Sequence, residues 1–209
     1  MKKGFSLIEL LVVISIITLI SSVLFSAMNS SREQAEIASV EKLSDSYLKL
    51  NGQCIKNYFK FQTNTEFSDV LNNGSATLYN GPIVSNGELS TAEFNGVDQY
   101  IILDTIDGIK RVGIVIKIDS SQGGGWRYIM DGRLGFSTGY LTNNTFGGWI
   151  DVKANGQPIN NYGEIPKDEW IYLEATSPNP FIDDLNLLSR FSNSETLRAE
   201  LYSTMIYEC

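Results

Sequence analysis

One carboxylate stands alone in a long apolar run. Glu9 lies within Phe5-Ser6-Leu7-Ile8-Glu9-Leu10-Leu11-Val12-Val13-Ile14, and the next charged residue is Arg32. An ionised acid in such a run costs roughly 2.5–3.5 kcal/mol at the middle of a bilayer and less near the interface. An acid kept at that cost is a functional candidate. The second pair of reactive groups is Cys54 and Cys209, the only cysteines. An even count behind an export-type segment suggests one disulfide in an oxidising compartment, two unrelated thiols being the alternative. A bridge would tie the last residue to the start of the globular part.

Other chemistry is absent or diffuse. The chain has no histidine, which excludes histidine-based triads, metal sites and general bases. Its formal charge of −8, or −10 without Lys2 and Lys3, argues against nucleic-acid binding, because phosphates need a basic patch. Asp98, Asp104, Asp107, Asp119, Asp131, Asp183 and Asp184 fall in or beside turn signals and could supply hard oxygen ligands to calcium, with Asp98 and Asp131 the chosen candidates. Turn chemistry alone also accounts for such aspartates. Trp126, Tyr128, Tyr140 and Trp149 could line a sugar-binding face, against the ordinary alternative of core aromatics. Of these, Trp126, Tyr128 and Trp149 are the ligand candidates.

The elements that carry these residues follow from pattern. Phe5 to Met28 is apolar apart from Glu9 and scattered Ser and Thr, and as a helix it spans about 36 Å, enough to cross a bilayer. Lys2 and Lys3 before it orient the N-terminus to the cytoplasm. No Gly or Pro occurs from Phe5 through Asn51, so the helix reads as continuous over 5–51. Beyond the apolar zone, Val40, Leu43, Tyr47 and Leu50 form a stripe predicted to pack on the globular part, and Asn51-Gly52 ends the helix. Residues 52–84 read as a connector of short elements, rich in aromatics. From 85 to 209 the pattern is of at least eight short strands separated by turn signals such as Asn95-Gly96 and Asn155-Gly156, a β-sandwich head. In Glu169 to Ala175, Glu and Trp/Tyr are placed on opposite faces. The fold class is therefore α+β, a long N-terminal helix followed by an all-β sandwich.

Lys2-Lys3-Gly4-Phe5-Ser6-Leu7-Ile8-Glu9-Leu10-Leu11-Val12-Val13-Ile14 resembles the class III leader and N-terminal helix of type IV pilins and type II secretion pseudopilins. The resemblance implies a leader of residues 1–4, cleavage between Gly4 and Phe5 by prepilin peptidase, and N-methylation of Phe5. It gives Glu9 an assembly role. The new amine of Phe5 lies about one helical turn from Glu9. In a filament Glu9 would pair with the amine of a neighbouring subunit, neutralising two charges in an apolar bundle. The missing helix-breaker leans towards a minor pilin or pseudopilin. The implied partners are other pilin or pseudopilin subunits, the peptidase and the inner membrane. The implied location is a single inner-membrane span with a periplasmic head, then a surface pilus or a periplasmic pseudopilus.

The head resembles the laminin-G-like, concanavalin-type jelly roll. The carrying segments are Phe94 to Tyr100, Val152 to Gly156, Trp170 to Leu173 and Ala199 to Tyr207. In that fold the first and last strands are neighbours, which suits a Cys54–Cys209 bridge. The resemblance implies a glycan or surface-protein ligand. Hydrolases of the architecture carry a Glu-x-Asp-x-x-Glu strand. That pattern is missing, and Glu164, Asp168 and Glu169 surround the turn residues Pro166 and Lys167, so no enzyme activity and no cofactor beyond calcium are expected.

Overall fold

The structure is a computed structural model that describes residues 7–63, 66–86, 90–121, 126–132, 139–142, 146–190 and 195–209. Two compact units divide the chain, Met1–Ser39 and Val40–Cys209. Helix α1 (Leu7–Asn51) runs through both. Three hydroxyls in the apolar zone bond within the helix. Ser15, Thr18 and Ser22 donate to the carbonyls of Leu11, Ile14 and Leu19 at 2.8, 2.7 and 2.8 Å. That back-bonding lets hydroxyls sit among apolar residues without an unmet donor. The helix stops where the sequence says, at Asn51, and the Cys54 N–H caps the Asn51 carbonyl at 2.9 Å.

After the helix, the described strands all pair antiparallel, with one short 3-10 helix at Tyr162–Glu164. In chain order the strands are β1 (Ile55–Thr63), β2 (Glu66–Asp69), β3 (Ala76–Tyr79), β4 (Ile83–Asn86), β5 (Ser90–Asn95), β6 (Tyr100–Ile118) and β7 (Tyr128–Gly132). They continue as β8 (Gly139–Thr142), β9 (Phe146–Gly147), β10 (Asp151–Ala154), β11 (Gln157–Pro158), β12 (Trp170–Leu187) and β13 (Arg198–Tyr207). The main path is β2-β1-β13-β6-β12-β7-β8-β9; β3 adds to β6, β5 to β13, β4 to β5, and β10 with β11 to β12. The α+β class with a β head holds.

Two readings from the sequence need correction. First, the strands of residues 55–86 are not a connector. β1 and β3 hydrogen-bond to β13 and β6, so the head sheet begins at Ile55 rather than at 85. Second, segments read as separate short strands are joined. β6 runs through Asp107-Gly108, and β12 through Ser177 to Pro180. Gly108 takes the turn-forming φ of +69°, and the β6–β12 register slips between Thr176 and Phe181, so both strands bend while staying paired. The expected neighbour relation of first and last strands holds: both β1 and β5 pair with β13.

Period-2 alternation sorts the faces. Phe59 and Phe61 of β1, Val112, Ile114, Ile116 and Ile118 of β6, Ile171, Leu173 and Ala175 of β12, and Ala199, Leu201 and Ile206 of β13 point into one hydrophobic core. The intervening residues form the opposite face: Tyr58, Arg111, Gly113, Val115, Tyr172, Glu174, Ser203, Met205 and Tyr207 are likewise shielded or half-shielded. That second face takes the last three turns of α1.

Candidate functional site

Two regions carry the chemistry, the N-terminal segment and the joint between α1 and the sheet within Val40–Cys209. In the first, Gly4 and Phe5 lie outside the described residues. Glu9 sits in the first turn of α1 and is exposed. From Leu7 to Phe25 the helix is long and apolar enough to cross a membrane, and none of that window is buried in the protein's own core. An apolar surface of that length has to be covered by lipid or by other helices.

The joint keeps Val40, Leu43 and Tyr47 of the predicted stripe shielded or half-shielded and departs from it at Leu50. Val40 and Ser44 are buried and Tyr47 and Asn51 half-buried, whereas Leu50 is 79% exposed. The spacing of 4, 3 and 4 is still one helix face. Ser44 Oγ lies 3.3 Å from the Tyr58 hydroxyl and 3.4 Å from Ser203 Oγ, joining α1 to β1 and β13. Tyr47 stacks on Tyr172 of β12, with ring centroids 3.5 Å apart and planes 18° from parallel. Asn51 donates to the Tyr47 carbonyl at 3.2 Å and accepts from Arg111 Nη2 at 3.1 Å. Asn51 therefore takes the place assigned to Leu50, and Ser44 adds a polar contact beside the half-buried Leu43.

Under this stripe lies a network that the sequence reading did not single out. Arg111 of β6 pairs with Glu174 of β12 at 3.3 Å, and its guanidinium sits 4.3 Å over the Tyr207 ring. The Tyr172 hydroxyl donates to Glu174 Oε2 at 3.2 Å and shares a 2.8 Å bond with the Tyr207 hydroxyl. A carboxylate only accepts, so Tyr172 is the donor to Glu174, while either hydroxyl can donate in the Tyr172–Tyr207 bond and the Tyr207 hydroxyl is also placed to donate to Met205 Sδ at 3.1 Å. Glu174, Tyr172 and Trp170 share one face, contrary to the expected opposition of Glu and Trp/Tyr, because they are two residues apart. Gly113 makes the space: a Cβ there would stand 2.1 Å from the Tyr172 hydroxyl oxygen. The turn Asn155-Gly156, with φ of 50° and 78°, places Asn155 to exchange hydrogen bonds with Tyr172, accepting from its N–H at 2.9 Å and donating to its carbonyl at 2.8 Å. Burial is the first cause that raises the phenols of Tyr172, Tyr202, Tyr58 and Tyr47 above their ordinary value. Burial likewise pushes Tyr207 up to about 12. The network holds neutral hydroxyls around one ion pair, an arrangement for bonding rather than for proton transfer near neutral pH.

Cys54 and Cys209 form a disulfide with Cα atoms 5.4 Å apart, spanning 155 positions. The Glu208 N–H donates to the Cys54 carbonyl at 3.0 Å, and Ile55 is the Cα partner of Tyr207. The exit of α1 and the chain end are thus fixed side by side.

The head's candidate ligand residues are not brought together. Tyr128 and Trp149 are buried, Trp149 packing edge-on against Phe181, so neither ring offers a binding face. They were read as ligand candidates because an aromatic on a strand looks the same from either face. Trp126 is 45% exposed. Tyr140 has no described side-chain environment. Asp98 belongs to the turn after β5, accepting from Asn95 Nδ2 at 2.9 Å, while Asp131 is buried in β7 opposite Tyr140 and Asn186. Asp104 accepts from Ser75 and Asp184 from Thr105. Among the described residues no group of three or more Asp, Glu, Cys or His is placed to hold a metal ion. Glu164 accepts from the Asn160 N–H at 2.8 Å and from Asn161 Nδ2 at 2.6 Å. The Ser120 N–H donates to Asp168 at 2.9 Å. Turn bonding therefore occupies both acids.

Comparison with known proteins bears on the two ends of the chain differently. Residues 1–25 match the family model of the prokaryotic N-terminal methylation motif. This match supports a precursor of the type IV pilin and pseudopilin kind, with the peptidase processing, subunit assembly and membrane anchoring that the motif implies. No curated protein matches the chain. Among solved structures, Trypanosoma rangeli sialidase superposes on 82% of this chain at 12% identity and a TM-score of 0.45. The chain spans 36% of that protein's length.

Proposed function

We propose that the protein is a subunit, of the minor kind, of a type IV pilus-like filament. It is inserted in the inner membrane through α1, cut between Gly4 and Phe5, methylated on Phe5 and drawn into the filament by pairing of Glu9 with the amine of a neighbour. The observation that carries the reading is the methylation motif at residues 1–25 on a helix whose apolar window, Leu7–Phe25, is long enough to cross a membrane and has none of its residues buried. Lipid covers that surface before assembly, and the helices of other subunits cover it afterwards. A pseudopilin of a secretion system would use the same steps and differ in where the filament ends.

The head is the variable part. The pairing of both β1 and β5 with β13 supports the laminin-G-like reading, and the exposed Trp126 leaves room for a glycan or surface-protein ligand. We read the head as non-catalytic, a reading supported by the absence of the Glu-x-Asp-x-x-Glu pattern and by the turn bonding of Glu164 and Asp168.

The test is processing. Co-expression with prepilin peptidase should shorten the chain by Met1 to Gly4 and add one methyl group to Phe5; an unshifted mass sinks the reading. Glu9→Ala should keep membrane insertion and lose filament incorporation, scored by fractionation and by pull-down of sheared filaments. Incorporation at the wild-type level would remove Glu9 from the assembly mechanism. A tag on the head then separates a surface fibre from a periplasmic one.

A further inference from the structure

We infer that the Cys54–Cys209 bridge is the link through which tension on α1 enters the head, dividing it between β1 and β13 instead of leaving it on β1 alone. The inference rests on the filament reading for the source of the tension. Its geometry and its test do not.

A subunit held by its helix and loaded at its head passes force through the chain just after Asn51. Three residues on, that chain becomes β1. The docked turns of α1 run from Ser44, beside Tyr58 and Ser203, to Asn51, beside Arg111, which is the Cα partner of Tyr207. The chain then reverses and β1 leads from Ile55, opposite Tyr207, back to Tyr58, opposite Met205. Tension along the helix towards its N-terminus therefore pulls β1 from its first residue, back over its own length. Pulled this way, β1 parts by peeling, one hydrogen-bonded pair at a time, first from β13 at Ile55 and then from β13 and β2 together from Phe59 onward. The docked stripe adds the buried Val40, the Ser44 hydroxyl, the Asn51 amide bonded to Arg111 and the Tyr47 ring stack.

The disulfide sits at the residue before the first pair to peel. With it closed, the pull at Cys54 is shared with Cys209 and the end of β13. That strand is paired along both sides, with β1 and β5 on one and β6 on the other. Its core-facing Leu201 and Ile206 are fully buried. Moving it means breaking two ladders and opening the core together. The 155-position span places nearly the whole head inside the closed loop.

The test pulls single full-length molecules in detergent micelles, held by an N-terminal tag and by a peptide tag inserted between the exposed Asn160 and Asn161. The oxidised protein should yield in one high-force event. After reduction with a phosphine, an earlier and weaker event should precede it, lengthening the molecule by about 60 Å as the nine residues of β1, about 3.3 Å each, swing from lying back along the pull to pointing along it. Cys54→Ser with Cys209→Ser should reproduce that event, and reduction of the folded wild type serves if the variant does not fold. Equal rupture forces with no early step in both redox states would overturn the load path while leaving the processing test untouched. An early step in the oxidised protein would overturn it too.

Discussion

At the scale of single residues, the joint between α1 and the sheet depends on what one glycine leaves out. Gly113 has an ordinary strand backbone, so its role is space and not conformation. A methyl group there meets the Tyr172 hydroxyl at 2.1 Å and its ring carbons at 2.6–2.7 Å. The ring is wedged between β6 and Tyr47, stacked 3.5 Å away, and has no free direction. Gly113→Ala should therefore destabilise the protein by about 1–3 kcal/mol, the range for overpacking a filled interior. It should also loosen Tyr47, which near-ultraviolet circular dichroism of the tyrosines would report alongside a urea titration. A variant with unchanged midpoint and spectrum would show that the ring has slack. The Arg111–Glu174 pair allows a sharper comparison. Their side chains are 18% and 9% exposed, so removing one partner strands a mostly desolvated charge. Glu174→Gln should cost about 3 kcal/mol, the lower end for breaking a buried pair, discounted for the partial exposure of Arg111. Arg111→Met with Glu174→Met, which removes both charges, should cost less than either single change. A double variant worse than both singles would mean that the pair is net stabilising and not merely self-compensating.

At the scale of elements, β1, β12 and β13 present phenols to the docked helix, and this sets an alkaline limit. Burial is the largest cause of the raised values of Tyr172, Tyr202 and Tyr207, the last reaching about 12. In the unfolded chain each phenol ionises near 10. The folded protein thus holds protons that the unfolded chain has released, and stability falls with rising pH across that interval. The contribution is complete below about pH 10 and is lost from there towards the folded values. Tyrosinate absorbance and helical circular dichroism should change together above pH 11. Smooth ionisation with the helix signal intact would place the phenols in water. These same elements show what the sequence made legible. The leader, the uninterrupted helix, its end at Asn51 and the Asn-Gly turns follow from local chemistry that tertiary contacts do not alter. The docking face follows only in part, through Val40, Leu43 and Tyr47. Leu50 fitted the apolar stripe but faces solvent, because the sheet beneath offers Arg111, Glu174 and phenols, for which Ser44 and Asn51 are the better partners. β1 was missed because Tyr58, Phe59 and Phe61 read as a uniform aromatic cluster. Their division between the two faces becomes visible only once Ser44 and Ser203 are known to take the Tyr58 hydroxyl.

At the scale of the whole molecule, one covalent link encloses almost the entire head, and its thermodynamic effect can be separated from its mechanical one. Cys54 and Cys209 are 155 positions apart, and the loop they close contains every strand. In the folded protein the two residues would stay close without the bond, since Ile55 pairs with Tyr207 and the Glu208 N–H reaches the Cys54 carbonyl at 3.0 Å. The native state therefore changes little on reduction. The unfolded chain changes a great deal, because a loop of this length is released. By the chain-entropy account the loss is about 5 kcal/mol. Urea titration of the full-length protein with and without a phosphine should show a lower midpoint after reduction. The slope should rise as well, since an unbridged unfolded chain exposes more surface. The pair of readings matters. A lower midpoint at constant slope would move the effect into the native state, making the bond a brace for the joint. An unchanged midpoint would mean that the unfolded chain keeps its two ends together by other means.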